Sequence, residues 1–479
     1  MEIYNTLTKK TELLPSPAEQ KKLNIFVCGP TVYDYIHIGN ARTFVIFDVV
    51  AKYLKYKGYD VKYIQNITDI DDKIIKRARD EGTTPQKLAE KYTAAFLEDM
   101  AGLKVNAAEY AKASEYIPQI IAQVEKLINR DYAYAMPTLK AEGEGAIDPD
   151  GNQDVYFDIQ KYEKDFPAQY GKLSGQVIEN LEAEKRVEME KNKRHPRDFV
   201  LWKAQNYSYD WAADSPWGKG RPGWHIEDTA ISEHFFGPQY DIHGGGQDLK
   251  FPHHEAEIAQ QQAASGKVPF VKYWMHAGFL VNKDEKMSKS LGNFLSLHEA
   301  FKKYSPEALR FYFLSAHYRS PLDYSEEIMK QSMAAVQRLS EFNWKLSEDW
   351  EGNRPLAGHE REQLETLDKS RQEAVEDDFN VPGALGFAFE MIKQANSLLA
   401  DGVAIGNLKE LNGIRNFLTG LGVLPKPQKP DPEIAALVIQ RENARKAKDF
   451  GLADKIRSQI EGSGYQIDDT AYGPLIKKK

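Results

Sequence analysis

Three clusters in this sequence have residue types and spacings that can do chemistry. The first is His37-Ile38-Gly39-Asn40, between an apolar run and a helical pattern. A helix N-terminus leaves N–H groups unpaired and carries positive partial charge, so a phosphate settles there. Gly39 lets a nucleotide lie against the backbone, and His37 offers a donor to a phosphate oxygen. Alone, such a tetrapeptide is more often an ordinary turn. The second cluster, far downstream, is Lys286-Met287-Ser288-Lys289-Ser290. Two lysines around small hydroxyl residues suit a polar clamp on a triphosphate, their charge following the departing pyrophosphate. A lysine-serine loop by itself is more often solvated surface; the two clusters together point to nucleotide chemistry. The third is histidine-rich: His225, His234, His243, His253, His254 and His276 fall within 52 residues of a chain with 11 histidines. His253 and Glu257 are four apart, so they share a helix face and can share a metal, while His254 is turned away from that face.

These clusters need a frame. Residues 24–28 form the apolar run of a buried parallel strand, and Gly29-Pro30 turns the chain. Over 40–56, Phe44, Phe47, Val50, Ala51 and Leu54 recur at helical spacing, and Gly58 ends the helix. Residues 61–64 read as a second strand. Strand, helix and strand make a right-handed unit of a Rossmann-like α/β sheet, whose ligands bind at the carboxyl ends of the strands, here between Cys28 and Asn40. Residues 107–217 change character and read as an insertion: a helix over 116–129, a loop over 141–154, a charged helix over 181–194. Strand patterns at 240–243 and 270–274 complete the sheet. Residues 332–421 are almost wholly helical, 424–430 are a proline-stiffened linker, and a basic helix over 432–460 precedes an extended tail. The expected domains are a catalytic half over 1–106, an insertion over 107–217, a second catalytic half with the metal site over 218–285, a signature-loop region over 286–331, a helical bundle over 332–424 and a small C-terminal α/β unit over 425–479.

The chain has 479 residues, 28% charged and 11% aromatic, which describes an ordered protein of several domains. Its one cysteine, Cys28, excludes an intramolecular disulfide and suits a reducing compartment. Nothing approaches the ~18 apolar residues of a membrane span, and the N-terminus lacks the pattern of a signal peptide. A cytoplasmic location is expected. The net charge of −8 argues weakly against a nucleic-acid partner, but local charge decides that. Residues 425–479 carry 11 basic and 8 acidic side chains, which leaves −11 on the remainder. There Arg441, Arg445, Lys448, Lys455 and Lys477 to Lys479 suit phosphate contact, and Phe450, Tyr465 and Tyr472 are available to stack on bases.

The sequence resembles the bacterial cysteinyl-tRNA synthetases, class I aminoacyl-tRNA synthetases, over essentially its whole length. The resemblance rests on the His37 and Lys286 clusters and on Asn66-Ile67-Thr68-Asp69-Ile70-Asp71-Asp72-Lys73, Arg221-Pro222-Gly223-Trp224-His225-Ile226-Glu227 and His243-Gly244-Gly245-Gly246-Gln247-Asp248. Further matches are the stretch from His195 to Trp202, Asp377-Asp378-Phe379-Asn380 and the stretch from Ala444 to Arg457. It implies cysteine activation by ATP and transfer to tRNA-Cys, in a monomer. ATP with Mg2+ would lie between His37, Gly39 and Asn40 on one side and Lys286, Ser288 and Lys289 on the other. Gly244, Gly245 and Asp248 would line the adenosine side. His37, Asn40, Lys286 and Lys289 would be catalytic, and Cys28, Gly29, Thr68, Trp224 and His225 would surround the amino acid.

The resemblance also implies a zinc ion that holds the substrate thiolate, with ligands Cys28, His253, Glu257 and the residue after Glu227. That last position is usually cysteine in the family and is Asp228 here. Zinc binds thiolate well and hydroxyl or methyl poorly, so a metal separates cysteine from serine and alanine without a later editing step. Asp228 leaves two readings: a harder carboxylate-containing zinc site, or a site that has lost its metal. Two other classes share the core: ligases that join cysteine to an amino sugar, against which the C-terminal unit argues, and tRNA-binding paralogues without catalysis, against which both signature clusters argue.

Overall fold

The computed structural model describes residues 1–138, 151–175, 193–204, 211–282, 285–286, 295–347, 353–406, 408–426, 430–470 and 473–478. They form two compact units, Met1–Met329 with Glu373–Gly383, and Lys330–Gln372 with Ala384–Lys479.

Five parallel strands make the sheet of the first unit: β1 (Lys22–Val27), β2 (Asp60–Ile67), β3 (Glu109–Lys112), β4 (Tyr240–Gly246) and β5 (Val271–Ala277). They lie in the order β5-β4-β1-β2-β3, a doubly wound arrangement whose order reverses beside β1. Ile25, Phe26, Val27 and Ile64 are wholly buried, as strands covered on both faces require. Four helices matter for the site: α1 (Ile38–Tyr56), α2 (Pro85–Gly102), α3 (Trp224–Phe236) and α4 (Glu255–Ser265). Helix α1 starts two residues before the expected position because His37 is its N-cap, with Nδ1 accepting from the Asn40 N–H at 3.2 Å. Gly58 follows its end at φ +98°.

The insertion is more than a loop between helices. Ala133–Pro137, Gln153–Phe157, Phe199–Ala204 and Gly220–Pro222 form a four-stranded antiparallel sheet. The loop expected over 141–154 therefore ends in a strand; its earlier part, and the charged helix expected over 181–194 up to residue 192, lie outside the described residues. One apolar core joins the sheet's Val155, Phe157, Leu201 and Trp202 to Ile226 and Ala230 of α3 and to Ala259 and Ala263 of α4. The insertion is thus the wall against which α3 and α4 pack. Three further strands, β6 (Leu280–Asn282), β7 (Glu285–Lys286) and β8 (Leu322–Asp323), form a small separate sheet.

The second unit is mostly helical, as its sequence pattern predicts, with most of Gly358–Glu376 and Val381–Ala400 and all of Asn412–Leu421 among its helices. Its C-terminal part corrects an expectation. The basic helix over 432–460 is two helices, Pro432–Lys446 and Phe450–Gly462, broken where Lys448 takes φ +60° and Asp449 caps the second. A hairpin of Tyr465–Thr470 and Gly473–Lys478 follows. Ile434, Ile456, Ile460 and Ile467 give this piece its own small core.

Candidate active site and metal centre

Cys28 follows the last residue of β1, Thr68 the last of β2, and His243 to Gly245 lie near the end of β4. The expected residues therefore meet at the carboxyl ends of adjacent strands, beside the reversal of strand order. The chain is tight here. Gly29 donates its N–H to Asn66 Oδ1 at 2.5 Å, and a Cβ at Gly29 would stand 1.7 Å from the Asn66 carbonyl oxygen. Only glycine allows that approach.

Cys28, 5% exposed, is the centre of two overlapping groups of donor atoms that all lie within 4.8 Å of one another. Both groups include Cys28 and Glu257; one adds Asp228 and His253, the other His243 and His254. In the first, His253 Nε2 stands 3.0 Å from Asp228 Oδ2 and 2.8 Å from Glu257 Oε1. In the second, Cys28 Sγ is 3.3 Å from His243 Nε2, 3.2 Å from His254 Nε2 and 3.6 Å from Glu257 Oε1. Donors around a tetrahedral zinc stand about 3.3–3.7 Å apart, close to these spacings. His254, expected to turn away, faces the thiol instead, because a turn over Lys250–His254 with a non-helical Phe251 precedes α4. His243 is brought in by the sheet rather than by its own helix.

The charge balance also fits a cation. Burial, then Glu257 and Asp228, push the Cys28 thiol well above its ordinary range. Burial likewise raises Asp228 and Glu257. Burial disfavours a charged His253, but Glu257 and Asp228 outweigh it and hold that histidine up to about 10. His243 is lowered to about 3 by burial, and burial followed by its histidine neighbours lowers His254. Neutral imidazoles of that kind are the form that ligates metal. Asp228 Oδ1 and Glu257 Oε2 are buried without a hydrogen bond, although His243 Nε2 lies 3.4 Å from the latter. A buried thiol and two buried carboxyl groups, all held toward their neutral forms, are donors that a divalent ion would draw into the ionised state.

Outer contacts orient the donors. His253 Nδ1 lies 2.7 Å from His225 Nδ1, and Trp224 stacks on the His253 ring at 4.1 Å between centroids. His254 Nδ1 lies 2.8 Å from His276 Nε2, whose Nδ1 is 3.0 Å from Thr6 Oγ1. Five of the six clustered histidines belong to this network; His234 packs edge-on against Tyr116 instead. The Thr68 hydroxyl donates to Glu227, which is 1% exposed. Glu227 went unassigned in the sequence because a lone acid on a helix has no signature; only its neighbours Thr68 and Asp228 hinted at it.

On the nucleotide side, a Cβ on Gly39 would lie 2.8 Å from His37 Nδ1, so the glycine lets the ring fold over the helix terminus. Gly244 and Gly245 are strand residues, not a flexible turn: Phe47 of α1 fills the space beside Gly244 and His254 that beside Gly245. Asp248 follows in a short 3-10 turn and is exposed. Lys286 pairs with Val281 through β7, and the chain returns to α1 where Ile38 donates to the Leu295 carbonyl at 3.0 Å. Ser288 and Lys289 lie outside the described residues.

Two expectations in the second unit are corrected. Arg441, read as a phosphate contact, is 1% exposed and gripped by both oxygens of Asp469 at 2.7 and 2.8 Å, and Arg445 donates to the same carboxylate at 2.9 Å. Tyr465, read as a stacking ring, is 4% exposed and donates to Asp431. Phe450 is 62% exposed; Tyr472 is not among the described residues.

A family model described as tRNA synthetases class I (C) catalytic domain matches residues 14–334, and a DALR domain model matches residues 372–424. Cysteine–tRNA ligase of Clostridioides difficile strain 630 is 44% identical, with all of both chains covered. Those of Carboxydothermus hydrogenoformans and Geobacillus sp. strain WCH70 are 43% and 41% identical, covering at least 99% of each chain. Among solved structures, Mycobacterium tuberculosis methionyl-tRNA synthetase in complex with methionyl-adenylate superposes with a TM-score of 0.61 at 16% identity, over 84% of this chain and 89% of that one. At that identity the likeness is one of fold.

Proposed function

Because the chain belongs to the cysteine–tRNA ligase family of class I tRNA synthetases, we propose that it activates L-cysteine with ATP and transfers the cysteinyl group to the 3′ end of tRNA-Cys. The observation that carries this reading is the buried thiol, imidazole and carboxylate donor group at the same strand ends as the His37-capped helix N-terminus. One place is built for a metal and a thiol, and the neighbouring place for a phosphate.

In the first step the cysteine carboxylate attacks the α-phosphorus of ATP, the bond to the β-phosphate oxygen breaks, and pyrophosphate leaves. No side chain need be a nucleophile; positioning and charge stabilisation are what the site supplies. We assign phosphate binding to His37, Gly39 and Asn40 at the α1 terminus, with Lys286, Ser288 and Lys289 opposite and Mg2+ accompanying ATP. Gly244, Gly245 and Asp248 border the adenosine. Cys28, Gly29, Thr68, Trp224 and His225 bound the amino-acid pocket. In the second step the terminal ribose hydroxyl of the tRNA attacks the adenylate carbonyl and AMP leaves.

For the metal we propose zinc on Cys28, Asp228, His253 and Glu257, the first of the two readings of Asp228. Bound there, zinc would distinguish a substrate thiolate from a hydroxyl. The buried donor set and the orphaned Asp228 Oδ1 and Glu257 Oε2 support it. In keeping with the reading as a translation enzyme, we place the protein in the cytoplasm as a monomer. Aminoacylation of tRNA-Cys transcripts with cysteine and with serine, with and without added zinc, tests substrate, partner and metal together; charging with neither amino acid would overturn the reading. Lys289→Ala should slow ATP–pyrophosphate exchange by about 10²–10³-fold with unchanged circular dichroism, and near-normal exchange would refute its role.

A further inference from the structure

Two arginines of the first unit, Arg42 and Arg310, are completely buried, and their terminal nitrogens are held in different ways. Arg310 has the partner a buried cation ordinarily needs: it donates to Asp48 of α1 at 2.9 Å and to the Leu103 carbonyl at 2.9 Å. Arg42, also on α1, has no carboxylate partner among the described residues. Four main-chain carbonyls take its two terminal nitrogens: Gly278 at 2.9 Å, Phe279 at 3.1 Å, His317 at 3.2 Å and Ser320 at 2.8 Å. Burial lowers its pKa to about 10, so it is charged at neutral pH. A buried cation held by peptide dipoles alone is expensive, and only a planar fork of several donors can gather four carbonyls at once.

Those carbonyls come from two segments that meet at this point. Gly278 donates to the Tyr318 carbonyl at 2.7 Å and Leu322 to the Phe279 carbonyl at 2.9 Å. A Cβ on Gly278 would stand 2.3 Å from the Ser320 carbonyl oxygen. Phe279 leads directly into β6, and β6 pairs with Lys286 of β7 through Val281. On the other side of the joint, Arg42 follows Asn40 by two residues on α1. The far end of the same stretch is tied to that helix start by main chain, with Leu297 donating to the Ile36 carbonyl at 2.9 Å.

We propose that Arg42 is a positioning residue of the ATP site, setting the separation between the α1 terminus, with His37 and Asn40, and the strand pair that carries Lys286. This rests on the assignment of those two clusters to ATP. The residues assigned to the amino-acid pocket lie at the ends of β1 and β2 and on α3 and take none of the four Arg42 bonds, so a defect in the joint should fall on ATP before cysteine.

The test uses the full chain, unaltered and as Arg42→Lys, Arg42→Gln, Gly278→Ala and, for comparison, Arg310→Lys. Equilibrium titration with ATP, cysteine-dependent ATP–pyrophosphate exchange and thermal melting are measured on each. Arg42→Lys keeps charge and bulk but cannot span four carbonyls, so ATP affinity should fall roughly ten- to hundredfold with the KM for cysteine within about twofold. Arg42→Gln should fall further, and Gly278→Ala should reproduce the ATP defect from the opposite side of the joint. Arg310→Lys should melt lower without that split. ATP affinity unchanged in Arg42→Lys and Gly278→Ala, or a loss in Arg310→Lys of the same size and selectivity, would overturn the proposal. Absence of exchange in the unaltered chain would count against the catalytic reading instead, and the ATP titration would still decide the role of Arg42.

Discussion

The proposed metal site turns on one side chain, Asp228. It is 1% exposed, one of its oxygens lies 3.0 Å from His253 and the other has no hydrogen bond. A carboxylate is a harder donor than a thiolate, so the same position with sulfur should hold zinc more firmly. Asp228→Cys should therefore retain zinc against a chelator roughly tenfold or more better, measured as metal per chain after timed exposure. Equal or faster loss from the cysteine variant would show that Asp228 is no ligand. His253 beside Glu257 is legible from spacing, because residues four apart share a helix face, whereas Cys28 and Asp228 enter only through the resemblance to the family. His254, turned away from the face of His253 and Glu257 by helical spacing, nevertheless meets the Cys28 thiol, since the chain reaches it through a non-helical Phe251 and the regular periodicity starts too late to orient it.

At the scale of elements, α2 carries an acid that works against the fold. Asp99 lies in its last turn, 5% exposed, with Oδ2 unpaired. Burial raises its pKa to about 6, with His298 opposing and Glu98 adding. A carboxyl whose pKa is raised on folding favours the folded state when protonated. Its stabilisation is full below about pH 4 and is lost as pH rises through about 6. Asp99→Asn should then stabilise the protein by about 1–3 kcal/mol above pH 7, with the gain vanishing near pH 4. Urea midpoints at the two pH values check this, and an equal shift at both would exclude a charge effect. The insertion teaches a related lesson: its antiparallel strands are separated by long stretches, so no pattern showed that they would form the wall behind α3 and α4.

For the whole molecule, the division into a catalytic unit and a largely helical one gives a prediction about truncation. The C-terminal piece has its own apolar core around Ile434, Ile460 and Ile467, so its loss should not unfold the rest. A chain ending at Leu424 should keep ATP–pyrophosphate exchange yet charge tRNA poorly; full charging would show that tRNA recognition lies elsewhere. Spacing within one element determined much of this protein from the sequence alone: the strand-helix-strand start, His37 at a helix terminus, and His253 beside Glu257. Only the tertiary structure decided which of the six histidines meet Cys28, that Arg441 and Tyr465 serve the fold through Asp469 and Asp431, and that Arg42 of α1 is held by the carbonyls of Gly278 and Ser320. The reason is physical. Local periodicity sets neighbours along a helix or strand, whereas partners from distant segments are chosen by burial and by the need to satisfy every buried charge.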